Sequence, residues 1–321
     1  MSELSDSRET GEFELIRWIR ERSRTDHPAT VLGIGDDCAI LQFRSERQLV
    51  VTTDMLMDGR HFRLDRDGAV AAGFKAMAVN ISDIAAMAAN PVAAVVAVAL
   101  PKHDGRAAEI ARGLHTGLTE AAGKYNVALV GGDTNAWDGP LVVSVTVIGE
   151  TTGRGAVRRS GAKPGDLVFV TGPLGGSLLG RHLRPTPRVA EAIALNAEVP
   201  LHAMIDVSDG LLSDLNHILE ESGDLGAVID ASKVPIHPDA TEMSRGDGRS
   251  RLDHALRDGE DFELCVVMSC EDYFDLYSKR RSLAKLLTNV GEIVETPGLR
   301  LRTGDGEPRA IEPTGFDHFK N

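Results

Sequence analysis

The sequence predicts an α/β chain of α+β character, mixed sheets layered with helices, in two domains at 1–150 and 151–321. Three observations carry this. Between Pro91 and Gly149 the apolar runs follow the order strand, helix, strand, strand, which suits a sheet covered by helices. After Asp166 strand-like and helix-like runs alternate again. Between them, from Gly149 to Ala162, the composition turns to glycine and arginine, and 321 residues suffice for two cores.

Residues 1–10 are polar, and Glu12–Arg20 reads as an amphipathic helix with Phe13, Ile16 and Ile19 on one side. Val31–Leu41 places Asp36 and Asp37 behind two glycines. Such a turn lets backbone N–H groups approach an anion while the carboxylates offer oxygen to Mg²⁺, and it equally describes a tight surface turn. Gln48–Thr53 is β-branched enough for a strand delivering Thr53 and Asp54 at its end, before a loop, Met55–Phe62, that carries His61. Gly73–Ala88 is apolar around most of its circumference and reads as a buried helix, with Asn80 and Asp83 three apart on one face. Burying an ionised carboxylate costs several kcal/mol unless it is paired or metal-bound, so Asp83 is a functional candidate unless it pairs with Lys75 or an arginine. Pro91–Pro101 reads as a strand buried on both faces, Arg106–Tyr125 as a helix, Val127–Thr134 as a buried strand ending in Gly131, Gly132 and Asp133, and Pro140–Gly149 as an alternating strand.

In the second half, Asp166–Thr171 reads as a strand running into the glycine loop Gly172-Pro-Leu-Gly-Gly-Ser177 and then a helix. The loop resembles a phosphate cradle without the GK[ST] ending of a P-loop, and an ordinary strand-to-helix turn fits as well. Asp206 and Ser208 share one face of a strand, and Asp209 stands where a helix begins; Ser208 or Asp209 could be a simple N-cap, which leaves Asp206 without that explanation. Further strands are expected at 226–229, 262–267 and 290–293, and a helix at 271–287.

A net charge of −13 argues against a nucleic-acid partner, which would need a basic stripe. Three scattered cysteines, Cys38, Cys265 and Cys270, suit neither a disulfide framework nor a thiolate zinc site, and fit a reducing, cytoplasmic setting. The start lacks the order of a signal peptide, and the apolar runs fall short of the ~18 residues of a membrane span, so no membrane partner is expected. There remains a set of acids at the ends of apolar runs, spread over both halves, of the kind that holds several Mg²⁺ ions.

Taken together and in order, Gly-Ile-Gly-Asp-Asp-Cys-Ala, Thr-Thr-Asp with a following Gly-x-His-Phe, Ala-Val-Asn-Ile-Ser-Asp, Gly-Gly-Asp-Thr, Arg-Ser-Gly-Ala-Lys-Pro-Gly-Asp, His-Leu-Arg-Pro, Asp-Val-Ser-Asp-Gly-Leu, Gly-Glu-Asp-Phe-Glu-Leu and the terminal Asp-His-Phe resemble the thiamine-monophosphate kinases over nearly the entire chain. The resemblance implies an aminoimidazole-ribonucleotide-synthetase-like fold. Its N-terminal α/β domain would bind metal and pair across a homodimer, and its C-terminal α/β domain would close over ATP. It implies transfer of the ATP γ-phosphoryl group to thiamine monophosphate. Asp37, Thr53, Asp54, Asp83, Asp133, Asp206 and Asp209 would hold Mg²⁺, with Asp54, Asp133 and Asp209 carrying catalysis. Gly132, Asp133, Arg159 and Ser208 would meet ATP, and His61, Glu260 and Phe316 the acceptor. The glycine loop departs from the family pattern, which more often has Thr and Asp where this chain has Pro173 and Gly176. Rival readings are a selenophosphate-synthetase-like enzyme, for which Cys38 is poorly placed inside the aspartate motif, and a nucleotide-sensing regulator, which would have lost metal ligands.

Overall fold

A computed structural model describes residues 18, 19, 21, 22, 27–32, 40–44, 46–102 and 105–315. Asp36, Asp37, Cys38 and Phe316 lie outside the described residues, as does most of the Glu12–Arg20 helix. The chain packs into two units, Met1–Arg44 with Thr53–Asn80 and Val92–Ile148, and Ser45–Thr52 with Ile81–Pro91 and Gly149–Asn321.

The first strands, β1 (Thr30–Leu32) and β2 (Ile40–Leu41), form an antiparallel pair. A four-stranded sheet comes next in the order β3 (Leu49–Met57), β6 (Val142–Thr151), β4 (Ala89–Pro101), β5 (Ala128–Trp137), with helices α1 (Leu64–Ala86) and α2 (Ala107–Lys124) between its strands in sequence. Several strands overrun their expected ends. The in-and-out alternation of β3 continues through Asp54 to Met57, so Thr53 and Asp54 sit inside the strand. Gly131, Gly132 and Asp133 likewise lie within β5, because its parallel ladder with β4 runs on to the pair Pro101–Trp137. The expectation that β4 is buried on both faces fails at its C-terminal half, where Ala97 is exposed and Val95, Val98 and Ala99 are half-buried.

Helix α1 starts nine residues earlier than expected and bends at Gly68, whose φ of 78° and ψ of 161° are not helical. By length and composition it could cross a membrane, unlike any run expected from the sequence, but 78% of its apolar window is buried within the fold. It meets α2 through glycines. A Cβ on Gly73 would stand 2.2 Å from the Leu114 carbonyl oxygen, and one on Gly117 would stand 1.9 Å from that of Val70. The two backbones are therefore in direct contact.

The second unit contains a seven-stranded sheet. Its strands β7 (Leu167–Val170), β8 (Ala203–Asp206), β9 (Gly226–Asp230), β10 (Leu264–Met268), β11 (Thr288–Val294), β12 (Gly298–Arg302) and β13 (Arg309–Ala310) are arranged β13-β12-β9-β11-β7-β10-β8. All neighbours are antiparallel except β12 and β9. Helices α3 (Val189–Glu198), α4 (Leu211–Glu221), α5 (Pro238–Asp247), α6 (Arg251–Arg257), α7 (Cys270–Lys279) and α8 (Arg281–Ala284) complete it. Alternate side chains divide into two cores. Val168, Val170, Ile205 and Val267 pack with Leu211, Leu215 and Ile218 of α4, while Phe169, Met204, Val266 and Met268 pack with Leu195 of α3 and Leu276 of α7. Burial of both faces explains why β7 and β10 are apolar at every position. After the glycine loop the expected helix is replaced by two 3₁₀ turns, Ser177–Leu179 and Arg181–Leu183, and the expected 271–287 helix breaks at Arg280 into α7 and α8.

Candidate functional site

Thr53, Asp54, His61, Gly132 and Asp133 belong to the first unit. Thr53 Oγ1 donates to the Val145 carbonyl (3.2 Å) and accepts from Thr146 Oγ1 (3.0 Å), which fixes its rotamer. The Asp54 N–H donates to Asn80 Oδ1 (3.0 Å), and Asn80 Nδ2 donates back to the Ala76 carbonyl of its own helix (2.9 Å), so a buried amide holds the Asp54 backbone. His61 is supported twice. Its Nδ1 accepts the Met57 N–H (3.0 Å), which in a neutral ring leaves the proton on Nε2, and its carbonyl accepts from the buried Lys75 ammonium (2.6 Å). In β5 the register with β4 shifts at Val130, a bulge that re-aims the side chains beyond it. Gly132 is required there, since a Cβ would stand 2.1 Å from the Val96 carbonyl oxygen, and Asp133 emerges exposed. Both border a cavity of about 170 Å³ whose walls include Val96, Leu118 and His115. Burial, and then the charge of Arg22, holds the His115 imidazole below its ordinary pKa.

Asp83, Arg159, Asp206, Ser208, Asp209 and Glu260 belong to the second unit. Asp83 is half-buried and accepts from Thr52 Oγ1 (2.5 Å); beside it on α1, Ser82 donates to the buried Asp206 carboxylate (2.6 Å). One helical step thus serves two acids. Neither Ser208 nor Asp209 is the N-cap of α4, a position held by Gly210 without a capping side chain. Instead the chain closes the other way, with the N–H groups of Asp209 (3.0 Å) and Gly210 (3.1 Å) donating to Asp214 inside the helix. Burial pushes the Asp214 carboxyl well above the usual carboxylate range, and the charges of Asp206 and Asp209 add to that push. Asp209, Asp214 and His217 offer ligand atoms within 4.8 Å of one another. Arg159 is exposed on a loop tied down on both sides of it: the Met204 N–H donates to the carbonyl of the preceding Arg158 (2.9 Å), and the N–H of Gly161, two residues on, donates to Ser222 Oγ (3.1 Å). The Glu260 N–H donates to the Ser208 carbonyl (2.7 Å), and Phe262 and Glu263 pair with Val207 on either side of its peptide.

The family model "AIR synthase related protein, N-terminal domain" matches residues 35–151. The thiamine-monophosphate kinase of Rhodopirellula baltica is 41% identical over 314 residues, 96% of this chain and 97% of that protein. The chain belongs to the thiamine-monophosphate kinase family. A crystal structure of the family's member from Stenotrophomonas maltophilia superposes with a TM-score of 0.76 at 38% identity, covering 93% of this chain and 98% of the other. The complex of AaThiL with AMPPCP and TMP superposes with a TM-score of 0.74 at 30% identity, covering 99% and 100%. The α/β architecture expected from the sequence is therefore that of the thiamine-monophosphate kinases.

Within this kinase fold the structure brings Asp206, Ser208, Asp209 and Glu260 onto one pair of touching segments. Asp214 is a member of this group that sequence reasoning does not single out. Its signal is an acid on the apolar face of an amphipathic helix, five residues after Asp209, where a leucine would be expected.

Proposed function

We propose that the chain transfers the γ-phosphoryl group of ATP to thiamine monophosphate, releasing ADP and thiamine diphosphate. The observation that carries this reading is the 2.7 Å bond between the Glu260 N–H and the Ser208 carbonyl, which joins the segment that would meet the acceptor to the one that would meet the nucleotide. An oxygen of the acceptor phosphate attacks the γ-phosphorus, and the bond from that phosphorus to the β-phosphate oxygen breaks. The monoester's second pKa is about 6, so near neutrality it is already a nucleophile and needs no strong base. Charge is the obstacle, since two polyanions must meet in a chain of net charge −13.

Thr53, Asp54, Asp83, Asp133, Asp206 and Asp209, with Asp37, would hold Mg²⁺, and carboxylate and hydroxyl oxygens are the donors that ion takes. Bound there, Mg²⁺ supplies neutralisation of the charge on the phosphates. The convergence of ligand atoms from Asp209, Asp214 and His217 within 4.8 Å of one another supports a cation at this place. Gly132, Asp133, Arg159 and Ser208 bind ATP, and Val96 and Leu118 in the cavity beside Gly132 offer its base apolar contact. Glu260 attracts the cationic thiazolium, His61 meets the acceptor, and Phe316 adds a cation–π contact worth roughly 0.5–2 kcal/mol. Residues 1–150 would bind metal and pair in a homodimer, residues 151–321 would close over ATP, and the protein would work in the cytoplasm. Incubation with ATP, Mg²⁺ and thiamine monophosphate should yield thiamine diphosphate by chromatography; ATP hydrolysis without that product would overturn the assignment.

A further inference from the structure

The glycine loop Gly172–Ser177 has the look of an anion cradle, yet its donors are spent inside the protein. The Gly175 N–H donates to Asp261 Oδ2 (2.8 Å), the Gly176 N–H to Asp258 Oδ2 (3.1 Å), and Ser177 Oγ to the Gly259 carbonyl (2.8 Å). A phosphate would have to displace two buried carboxylates, and their charge would repel it. Glycine is needed for a different reason. With φ of +89° and +76°, a Cβ on Gly175 would lie 2.6 Å from the Ala255 nitrogen and one on Gly176 would lie 2.3 Å from that of Ala240. The loop is pressed onto α5, α6 and the segment 258–263.

That segment is strained. Glu260 and Phe262 both have left-handed backbones, φ +59° and +53°, at a cost of about 1 kcal/mol or more each for residues other than glycine. The acid between them, Asp261, is one of the two that the loop grips. Besides the Gly175 N–H, Asp261 accepts from Arg181 Nη2 (3.0 Å), and the same nitrogen donates to the Gly175 carbonyl (3.0 Å), closing a ring of loop, arginine and carboxylate. Burial pushes the Asp261 carboxyl up to about 7 against the pull of these donors, so its charge depends on them. On one side Asp258 is held by His254 (2.7 Å) and Arg249 (2.9 Å). On the other, Glu263 is held by the paired Arg188 nitrogens (2.8 and 2.5 Å) and by Thr171 Oγ1 (2.6 Å).

We propose that the Gly172–Ser177 loop and Arg181 form a clamp that acts through Asp261 to hold the Glu260 backbone in its left-handed conformation, making Arg181 and Asp261 positioning residues for recognition of the cationic acceptor. This rests on the reading that Glu260 meets thiamine monophosphate. It explains why the loop can depart from the family pattern: its task is to grip 258–261, for which glycine at 176 suffices.

The test is steady-state kinetics of the full-length protein at saturating Mg²⁺, with KM for each substrate measured beside chemical unfolding. Asp261→Asn and Arg181→Gln should each raise KM for thiamine monophosphate about tenfold and leave that for ATP within about twofold. The double variant should be no worse than the poorer single one, because both break one ring. Arg181→Lys should recover part of the loss, and it decides the matter with Arg181→Gln if Asp261→Asn does not fold. Glu260→Gln separates the two levels of inference. Raised KM for the acceptor in Glu260→Gln, with unchanged KM in the Arg181 and Asp261 variants, would overturn the clamp alone. Unchanged KM in Glu260→Gln would remove the acceptor reading and the clamp with it. Lowered stability with equal changes for both substrates would reduce the loop to a structural tie and overturn the proposal.

Discussion

At Asp54 the bond to Asn80 is made by the backbone, and at Asp133 the side chain stands exposed on β5, so the charge of either can be removed while these features stay. Asp54→Asn and Asp133→Asn should therefore keep wild-type circular dichroism and melting. If the carboxylates hold the ions that offset phosphate charge, several kcal/mol of barrier return, a fall in kcat of about a hundredfold or more. Turnover near wild type in both variants at limiting Mg²⁺ would remove them from the metal set. The acids stand out in the sequence because each interrupts or follows an apolar run, Asp133 directly behind two glycines. Their positions were less legible. Asp133 lies inside its strand because β4 keeps offering partners past the point where apolar composition stops, and Asp54 because the apolar Met55, Leu56 and Met57 carry β3 on beyond it.

Elements with a strong apolar stripe, such as α2 and α4, were legible from period alone, whereas α5 buries Ala240 as its one fully enclosed side chain and has no stripe to read. It is defined by its ends, where His237 accepts the Asp239 N–H, Pro238 opens the helix and Gly248 turns left-handed behind it; α6 likewise begins with Ser250 accepting the Asp253 N–H. These caps were readable signals. The partners of the glycine loop were not, since they stand 82 to 86 residues away in sequence and meet it only in the fold. The contact of α1 and α2 makes a prediction of its own. Gly117→Ala gains about 1 kcal/mol of helix propensity, but a Cβ placed 1.9 Å from the Val70 oxygen and 2.6 Å from the Phe74 nitrogen must push two backbones apart. Overpacking of this kind typically costs 1–3 kcal/mol or more, and with rigid backbone as the obstacle the upper end applies, so a net loss of roughly 2 kcal/mol is expected. Thermal unfolding should show a melting point several degrees lower; an unchanged one would mean that the helices slide apart freely.

Over the whole molecule, the alternation of β6 buries Val143, Val145 and Val147 completely and so is accounted for within the fold. That of β3 is not. Its outward residues include Leu49, Val51 and Met55, which are 51%, 64% and 58% exposed. Exposed apolar side chains are common singly, but these three share the outward face of one strand in a stripe interrupted by Thr53, and together form the kind of surface that another sheet covers. Covering a side chain of this size fully is worth roughly 1.5–3 kcal/mol, and these three begin about half covered, so the stripe adds a few kcal/mol to an association that neighbouring residues must complete. A second copy of the chain presents the same stripe, which suits a twofold contact in which each strand meets its counterpart. Light scattering at micromolar concentration should then give twice the chain mass, and Met55→Glu should shift it to the chain mass, because two added charges would meet across the axis without partners. If Met55→Glu stays dimeric, another surface makes the contact; if the wild-type protein is a monomer, the stripe on β3 has a different partner and the homodimer is withdrawn.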